Sequence, residues 1–209
     1  MKKPIIDLKT LHHVDKVDLV YDARFDHARI TSVEYVGAKA RDVTCETVIM
    51  EKIDFGSSNL PGLKLLDARL SGSSFANAAC EDVHALRAEF IGCRLTGLQA
   101  PNGMLREVLF QRCKLDLSLF RFASFREVVF EECVLRGADF VGAAFDRVTF
   151  KSCDLTGTDF SQSKIRSIDL RGSNLQDIRL DKHAIAGTIK VDTGQALYLA
   201  GLFGLIIED

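Results

Sequence analysis

A side-chain period of five runs through most of this chain. The 33 positions divisible by five from Phe25 to Ile185 hold 12 Phe, 11 Leu, 3 Ile, Met50, Tyr35, two Cys and three Ala, and they take twelve of the fourteen Phe. Two residues earlier, from Ala23 to His183, the positions hold small or apolar residues: 9 Ala, 7 Val, 5 Ser, 4 Cys, 3 Ile, 2 Leu, Thr158, Gly103 and His183. None of these 66 positions is Asp, Glu, Lys, Arg, Asn, Gln or Pro, although 27% of the chain is charged. Chance would produce that on the order of once in a billion, so the pattern is a physical repeat.

Five is neither the 3.6 of a helix nor the 2.0 of a strand. A short extended piece satisfies it by pointing its first and third residues inward, followed by a corner. The large residue (i) and the small residue (i−2) are then the inward pair, and i+2 is the corner. Ten of the fifteen Gly stand at i+2: 37, 62, 72, 92, 97, 137, 142, 157, 172 and 187. Phe90, Phe110, Phe130 and Phe150 recur every twenty residues, as do Leu95, Leu115, Leu135 and Leu155 and the cysteines 93, 113, 133 and 153. Like side chains stacked in successive coils imply four sides per coil. Thirty-three pentapeptides give about eight coils, and at about 4.8 Å per coil a rod about 40 Å long.

The quintets Ala138-Asp139-Phe140-Val141-Gly142, Cys153-Asp154-Leu155-Thr156-Gly157, Thr158-Asp159-Phe160-Ser161-Gln162 and Ser173-Asn174-Leu175-Gln176-Asp177 resemble the Ala-(Asp/Asn)-Leu-x-x signature of the pentapeptide repeat family. The resemblance spans residues 23–187 and implies an all-β solenoid, a right-handed quadrilateral β-helix. Met104, Leu109, Leu119, Val129 and Val134 depart from the Asp/Asn position. Residues 1–22 lie out of phase, with Val17 and Leu19 keeping an alternation shifted by one, and read as a cap segment over the first coil. Residues 188–209 read as a terminal cap of helix and strand. Asp192-Thr193-Gly194 can start the helix, Ala196, Leu197, Ala200 and Phe203 share a face, Gly204 ends it, and Leu205-Ile206-Ile207-Glu208 reads as a strand.

Little chemistry is legible. The cysteine ladder 93-113-133-153 has conspicuous spacing, but stacked sulfurs form a line, whereas zinc needs thiolates converging at about 2.3 Å. They read as core filler, as do Cys45 and Cys80. His183 reads as a buried histidine under the cap, and His12 and His13 have no companion ligands. Phosphate loops and hydrolase signatures are absent, so no catalytic, cofactor or metal residue is assigned. A net charge of −2 gives no blanket reason to expect direct binding to nucleic acid or to a membrane. The start has too few apolar residues for a signal peptide, and no run reaches the roughly 18 of a membrane span. A cytoplasmic protein with reduced thiols is expected.

Outward apolar residues form two candidate partner surfaces: Leu117, Leu119 and Phe122 around a corner, and Ile91, Leu109 and Val129 on another side. They either meet a protein partner or fold over the glycine-lined corners to cover backbone. The leading function is a non-enzymatic scaffold for protein–protein interaction. Within the family, the C-terminal stretch and Asp169-Leu170-Arg171-Gly172 are similar to quinolone-resistance members, which implies DNA gyrase or topoisomerase IV as a partner and a dimeric, DNA-like rod. The outward charges here mix signs: Arg106, Arg126 and Arg166 share a column with Glu107 and Glu127 beside it, and Asp139, Asp154 and Asp159 make only a small acidic patch. A homodimer through the C-terminal end is expected, with Leu202, Phe203, Leu205, Ile206 and Ile207 at the interface, because helix and strand carry more apolar surface than one lid buries.

Overall fold

A computed structural model describes residues 1–14, 18–181 and 187–206. The chain winds into an all-parallel right-handed β-helix of about nine turns with one short helix at its C-terminal end. Strands β1 (His12–Val14), β2 (Arg24–Thr31), β3 (Thr44–Glu51), β4 (Lys64–Ser71), β5 (His84–Ile91) and β6 (Met104–Gln111) stack in order. They are followed by the pairs β7 (Ser124–Arg126) and β8 (Val129–Glu131), β9 (Ala144–Asp146) and β10 (Val148–Lys151), and β11 (Lys164–Ile165) and β12 (Ser167–Asp169), and then by β13 (Thr188–Lys190). From β2 to β12 the partner of each residue lies twenty positions on, as in Phe90↔Phe110 and Phe110↔Phe130. The other two sides are held by single parallel bridges with the same offset, such as Leu119↔Asp139 and Lys114↔Val134.

The corners explain how a five-residue unit can close. From Asp22 to Asp177 every fifth residue has positive φ, 22 non-glycine residues and nine glycines, with Ser167 the exception. A non-glycine residue there is disfavoured by about 1–2 kcal/mol. The cost is offset because the same amide joins the ladder: Leu117 N–H donates to the Arg136 carbonyl at 2.9 Å and Phe122 N–H to that of Val141 at 3.0 Å. At Gly187, expected as one more such corner, the structure shows a need for space, since a Cβ there would overlap the Ile165 carbonyl. β13 also pairs with β12 at an offset of 21, as in Ile168↔Ile189, so the twenty-residue register has slipped by one at this end.

Phenylalanine columns fill the rod. Phe90, Phe110, Phe130 and Phe150 stack at centroid distances of 4.8, 4.8 and 4.6 Å. Phe120, Phe140 and Phe160 form a second column at 5.3 and 5.2 Å, and Phe125 and Phe145 a third. Between columns the rings meet edge to face, as Phe150 meets Phe160 at 89°. A void of about 30 Å³ remains where Ala85 and Ala100 occupy two large-residue positions of one coil.

At the C-terminal end Asp192 caps helix α1 (Thr193–Leu202) in a reciprocal box with Gln195. Gly204, at φ +78°, ends the helix: Gly204 N–H donates to the Gly201 carbonyl and Leu205 N–H to that of Ala200. The buried face is Gln195 and Leu199, not the expected face of Ala196, Leu197, Ala200 and Phe203. The reason is polar: the Gln195 amide donates to the Leu170 and Ser173 carbonyls, both at 2.7 Å, satisfying acceptors that the last coil would otherwise bury unpaired. Leu205 and Ile206 form no strand, and Ile207, Glu208, His183, Ile185 and Val17 lie outside the described residues.

Candidate functional site

The cysteine ladder resolves into backbone chemistry. Cys93, Cys113, Cys133 and Cys153 are buried, and their thiols point at the carbonyls of Leu70, Phe90, Phe110 and Phe130, at 3.5, 3.2, 3.3 and 3.3 Å. Ser173 continues the column, its hydroxyl donating to the Phe150 carbonyl at 3.0 Å and accepting from the Cys153 amide. Serine and cysteine are thus interchangeable here as small donors to a carbonyl 23 residues back. Burial pushes Cys45 and Cys80 up to about 12. Cys113 and Cys153 are raised by the neighbouring ladder sulfurs and by burial, while Cys93 and Cys133 are lowered by those same neighbours against the opposing effect of burial. Among the described residues no three His, Cys, Asp or Glu side chains are arranged to hold a metal ion.

The acidic patch is neutralised where it stands. Arg121 reaches Asp139 at 2.7 Å, Arg136 reaches Asp154 at 2.6 Å and Arg179 reaches Asp159 at 3.4 Å. The mixed column behaves likewise: Arg106 lies 3.7 Å from Glu107, and Arg126, Arg147 and Arg166 surround Asp146. These carboxylates hold arginines rather than forming an open anionic stripe.

Leu117, Leu119 and Phe122 all lie on the outside of one coil. Leu117 and Phe122 stand at two successive corners with Leu119 between them, rather than around one corner, and the three remain 65%, 63% and 37% exposed. Part of the expected covering of glycine is present, since a Cβ on Gly142 would fall 2.5 Å from the Phe122 ring and one on Gly137 would fall 3.0 Å from Leu117. The ridge therefore leans on those glycines and still offers most of its apolar surface to solvent. The second set is split: Leu109 and Val129 are ladder neighbours, whereas Ile91 pairs with Gln111 two positions away, and all three are half-buried. At the C-terminal end Leu202, Phe203, Leu205 and Ile206 are 45%, 38%, 65% and 88% exposed.

One feature escaped the repeat pattern. Asp67, Glu89 and Glu107 occupy outward positions yet are buried, and Ile49, also outward, is 3% exposed without belonging to the interior cluster. The N-terminal segment runs outside the rod over this side: Ile5 N–H donates to Asp67 Oδ1 at 2.8 Å, and the Met1 amino group lies 3.9 Å from Glu127 Oε2. Its end, β1, pairs with β2 through Val14↔Ile30, so the segment expected only as a cap over the first coil also reaches down the rod. In sequence the corner column under this segment is Asp67, Arg87, Glu107 and Glu127, a set of charges that reads as solvated surface.

Residues 103–180 match the pentapeptide repeat region family. No curated protein matches the chain. Among solved structures the chain is similar to a trypsin-treated form of QnrB1, a plasmid-mediated fluoroquinolone resistance protein, at 19% identity over 95% of this chain and 99% of that one, with a TM-score of 0.41. It is also similar to HetL, a pentapeptide repeat protein involved in heterocyst differentiation regulation from Nostoc sp. strain PCC 7120, at 16% identity over 81% of this chain and 87% of that one, with a TM-score of 0.46. The match makes residues 103–180 similar to the pentapeptide repeat region family, and five-residue coils with a left-handed corner in nearly every quintet run through it and ahead of it, from Asp22 to Asp177.

Proposed function

We propose that the protein is a non-enzymatic scaffold that binds a protein partner on the outside of the rod. The observation that carries this reading is the ridge of Leu117, Leu119 and Phe122, three exposed apolar side chains on one coil. Exposed apolar groups clustered on a rigid surface favour a macromolecular contact, and an interior closed by its own phenylalanines leaves function to the outside. Affinity capture from the native host tests it, comparing wild type with the Leu117→Asn, Phe122→Asn double variant. Asn tolerates the left-handed corner, so the rod stays folded while the ridge becomes polar. A host protein retained by wild type and lost by the variant supports the reading; equal recovery overturns it.

DNA gyrase or topoisomerase IV is the partner the family resemblance implies, and a supercoiling assay with and without a fluoroquinolone tests it; no effect in either arm removes that partner. The arginine-paired state of Asp139, Asp154 and Asp159 argues against phosphate mimicry on that face. We further propose that two copies join through the C-terminal end, burying Leu202, Phe203, Leu205, Ile206 and, beyond the described residues, Ile207. Sedimentation equilibrium decides this, since a 23 kDa species unchanged by deleting residues 202–209 is a monomer. A cytoplasmic location fits the six free thiols, and no helix among the described residues is long and apolar enough to cross a membrane.

A further inference from the structure

The N-terminal segment is laid along the rod in a way that identifies what its seat accepts. Asp67, Arg87, Glu107 and Glu127 are successive residues of one corner column, one per coil. Between Glu127, beside Met1, and Asp67, beside Ile5, lie three coils, about 14 Å at about 4.8 Å each. Four residues of fully extended chain span about 14 Å at about 3.4 Å per residue. Residues 1–5 are therefore extended and parallel to the rod axis. Leu8 and Leu11 then line a shallow pocket with His13 and Arg29 before β1 joins β2.

The seat is lined by carboxylates with apolar edges, and most are already paired. Arg87 answers Asp67, at 2.6 Å, Arg69 answers Glu89, at 2.8 Å, Arg147 answers Glu127 through Oε1, at 2.5 Å, and Arg106 lies 3.7 Å from Glu107 Oε1. Glu107 is 4% exposed and has one oxygen, Oε2, with no hydrogen-bond partner among the described residues. A buried carboxylate oxygen left open is costly unless a donor reaches it. The segment above it carries Lys2, Lys3 and Lys9 against a single acid, Asp7. Leu66, Leu86, Leu109 and Val129 are half-buried along the flanking columns. The segment is held lightly: Ile5 and Leu8 are 70% and 64% exposed, and it contributes one backbone hydrogen bond to the rod through Ile5.

We propose that this side of the rod is a docking groove for an extended, lysine-bearing peptide segment of a partner protein, and that residues 1–11 occupy it in cis until such a segment displaces them. The inference deepens the scaffold reading by placing a second contact surface away from the ridge and giving it a built-in competitor. The open oxygen of Glu107 selects a basic residue, the column spacing selects an extended segment, and the half-buried leucines select apolar residues beside the lysine.

A fluorescent peptide with the sequence of residues 1–11, labelled at its C-terminal end, is the probe, read by anisotropy against the full-length chain. One protein is wild type; the other carries Lys2→Glu, Lys3→Glu and Ile6→Asp, so that its own segment no longer competes. The altered chain should bind the probe about tenfold or more tightly than wild type, the factor by which a tethered competitor lowers the open fraction. Adding Glu107→Gln should weaken binding by about tenfold or more. Equal affinity for both chains, no binding to either, or binding indifferent to the glutamine change overturns the proposal. Hydrogen exchange on wild type is the second measurement: the Ile5 amide should be protected but exchange at least about a hundredfold faster than the Phe130 amide, as local opening requires. An Ile5 amide that exchanges only together with the core, or as fast as a free peptide, overturns the displaceable segment. Equal capture by wild type and the ridge variant, with retained probe binding, would count against the ridge and not against this groove.

Discussion

Phe130→Ala puts the stacked-ring core to a quantitative test. Phe130 is fully buried, lies 4.8 Å from Phe110 at 6° and 4.6 Å from Phe150 at 2°, and meets Phe125 and Phe140 at 6.2 and 6.5 Å. Truncating a buried Phe costs about 3–5 kcal/mol, and the value rises when the site cannot collapse. Collapse is blocked here, because Phe110 and Phe150 are each fixed by their own ladder pairs to either side. Two stacked pairs add about 0.5–1.5 kcal/mol each beyond area burial, so the upper end is expected. For a chain of this size, about 2–4 °C per kcal/mol puts the loss in melting temperature at about 10 °C or more. Urea unfolding followed by circular dichroism should show the midpoint fall in step. Lys114→Ala, an exposed position, is the control and should change stability by less than about 0.5 kcal/mol. A Phe130→Ala protein no less stable than the Lys114→Ala one would refute the inward assignment of the large residues.

Three further outcomes are expected. Ala85→Val should fill part of the 30 Å³ void and raise stability by about 0.5–2 kcal/mol in the same urea assay; a loss would mean that Leu65 and Leu105 already close that space. In native protein the four ladder cysteines should resist iodoacetamide over hours and react in denaturant, as mass spectrometry can follow. Acid should weaken the fold: the Arg87 hydrogen bond holds Asp67, the Lys151 hydrogen bond holds Glu131 and the Arg171 hydrogen bond holds Asp169 below their ordinary values. A depressed carboxylate stabilises above its unfolded value and loses that contribution as pH falls through its folded one. Melting temperature should therefore drop below about pH 4, and Asp67→Asn should flatten that dependence; an unchanged slope would remove Asp67 from the account.

The interior was legible because a five-residue hydropathy period reports only which side chains point inward, and those positions decide the coil. The twenty-residue recurrence of Phe110 and Cys113 carried the number of sides for the same reason. Gln195 shows where that logic stops. A polar residue turns inward because the last coil leaves the Leu170 and Ser173 carbonyls open, a demand that belongs to the end of the rod and leaves no hydropathy signal. The ridge was visible as Leu117, Leu119 and Phe122, but its lean onto Gly137 and Gly142 depends on rotamers. The N-terminal groove was illegible, since the contact from Ile5 to Asp67 joins residues 62 apart across a segment with no period of its own.

The constant twenty-residue register from β2 to β12 also fixes how the rod would respond to being pulled from its ends. Each coil touches only the coil above and the coil below, so load is carried by one ladder step at a time. Releasing one coil frees twenty residues, about 65 Å of extended chain, in exchange for about 5 Å of rod. Under tension the protein would pay out in equal lengths of about 60 Å, a spool with a fixed increment. The phenylalanine-stacked coils between Phe90 and Phe160 would hold longest.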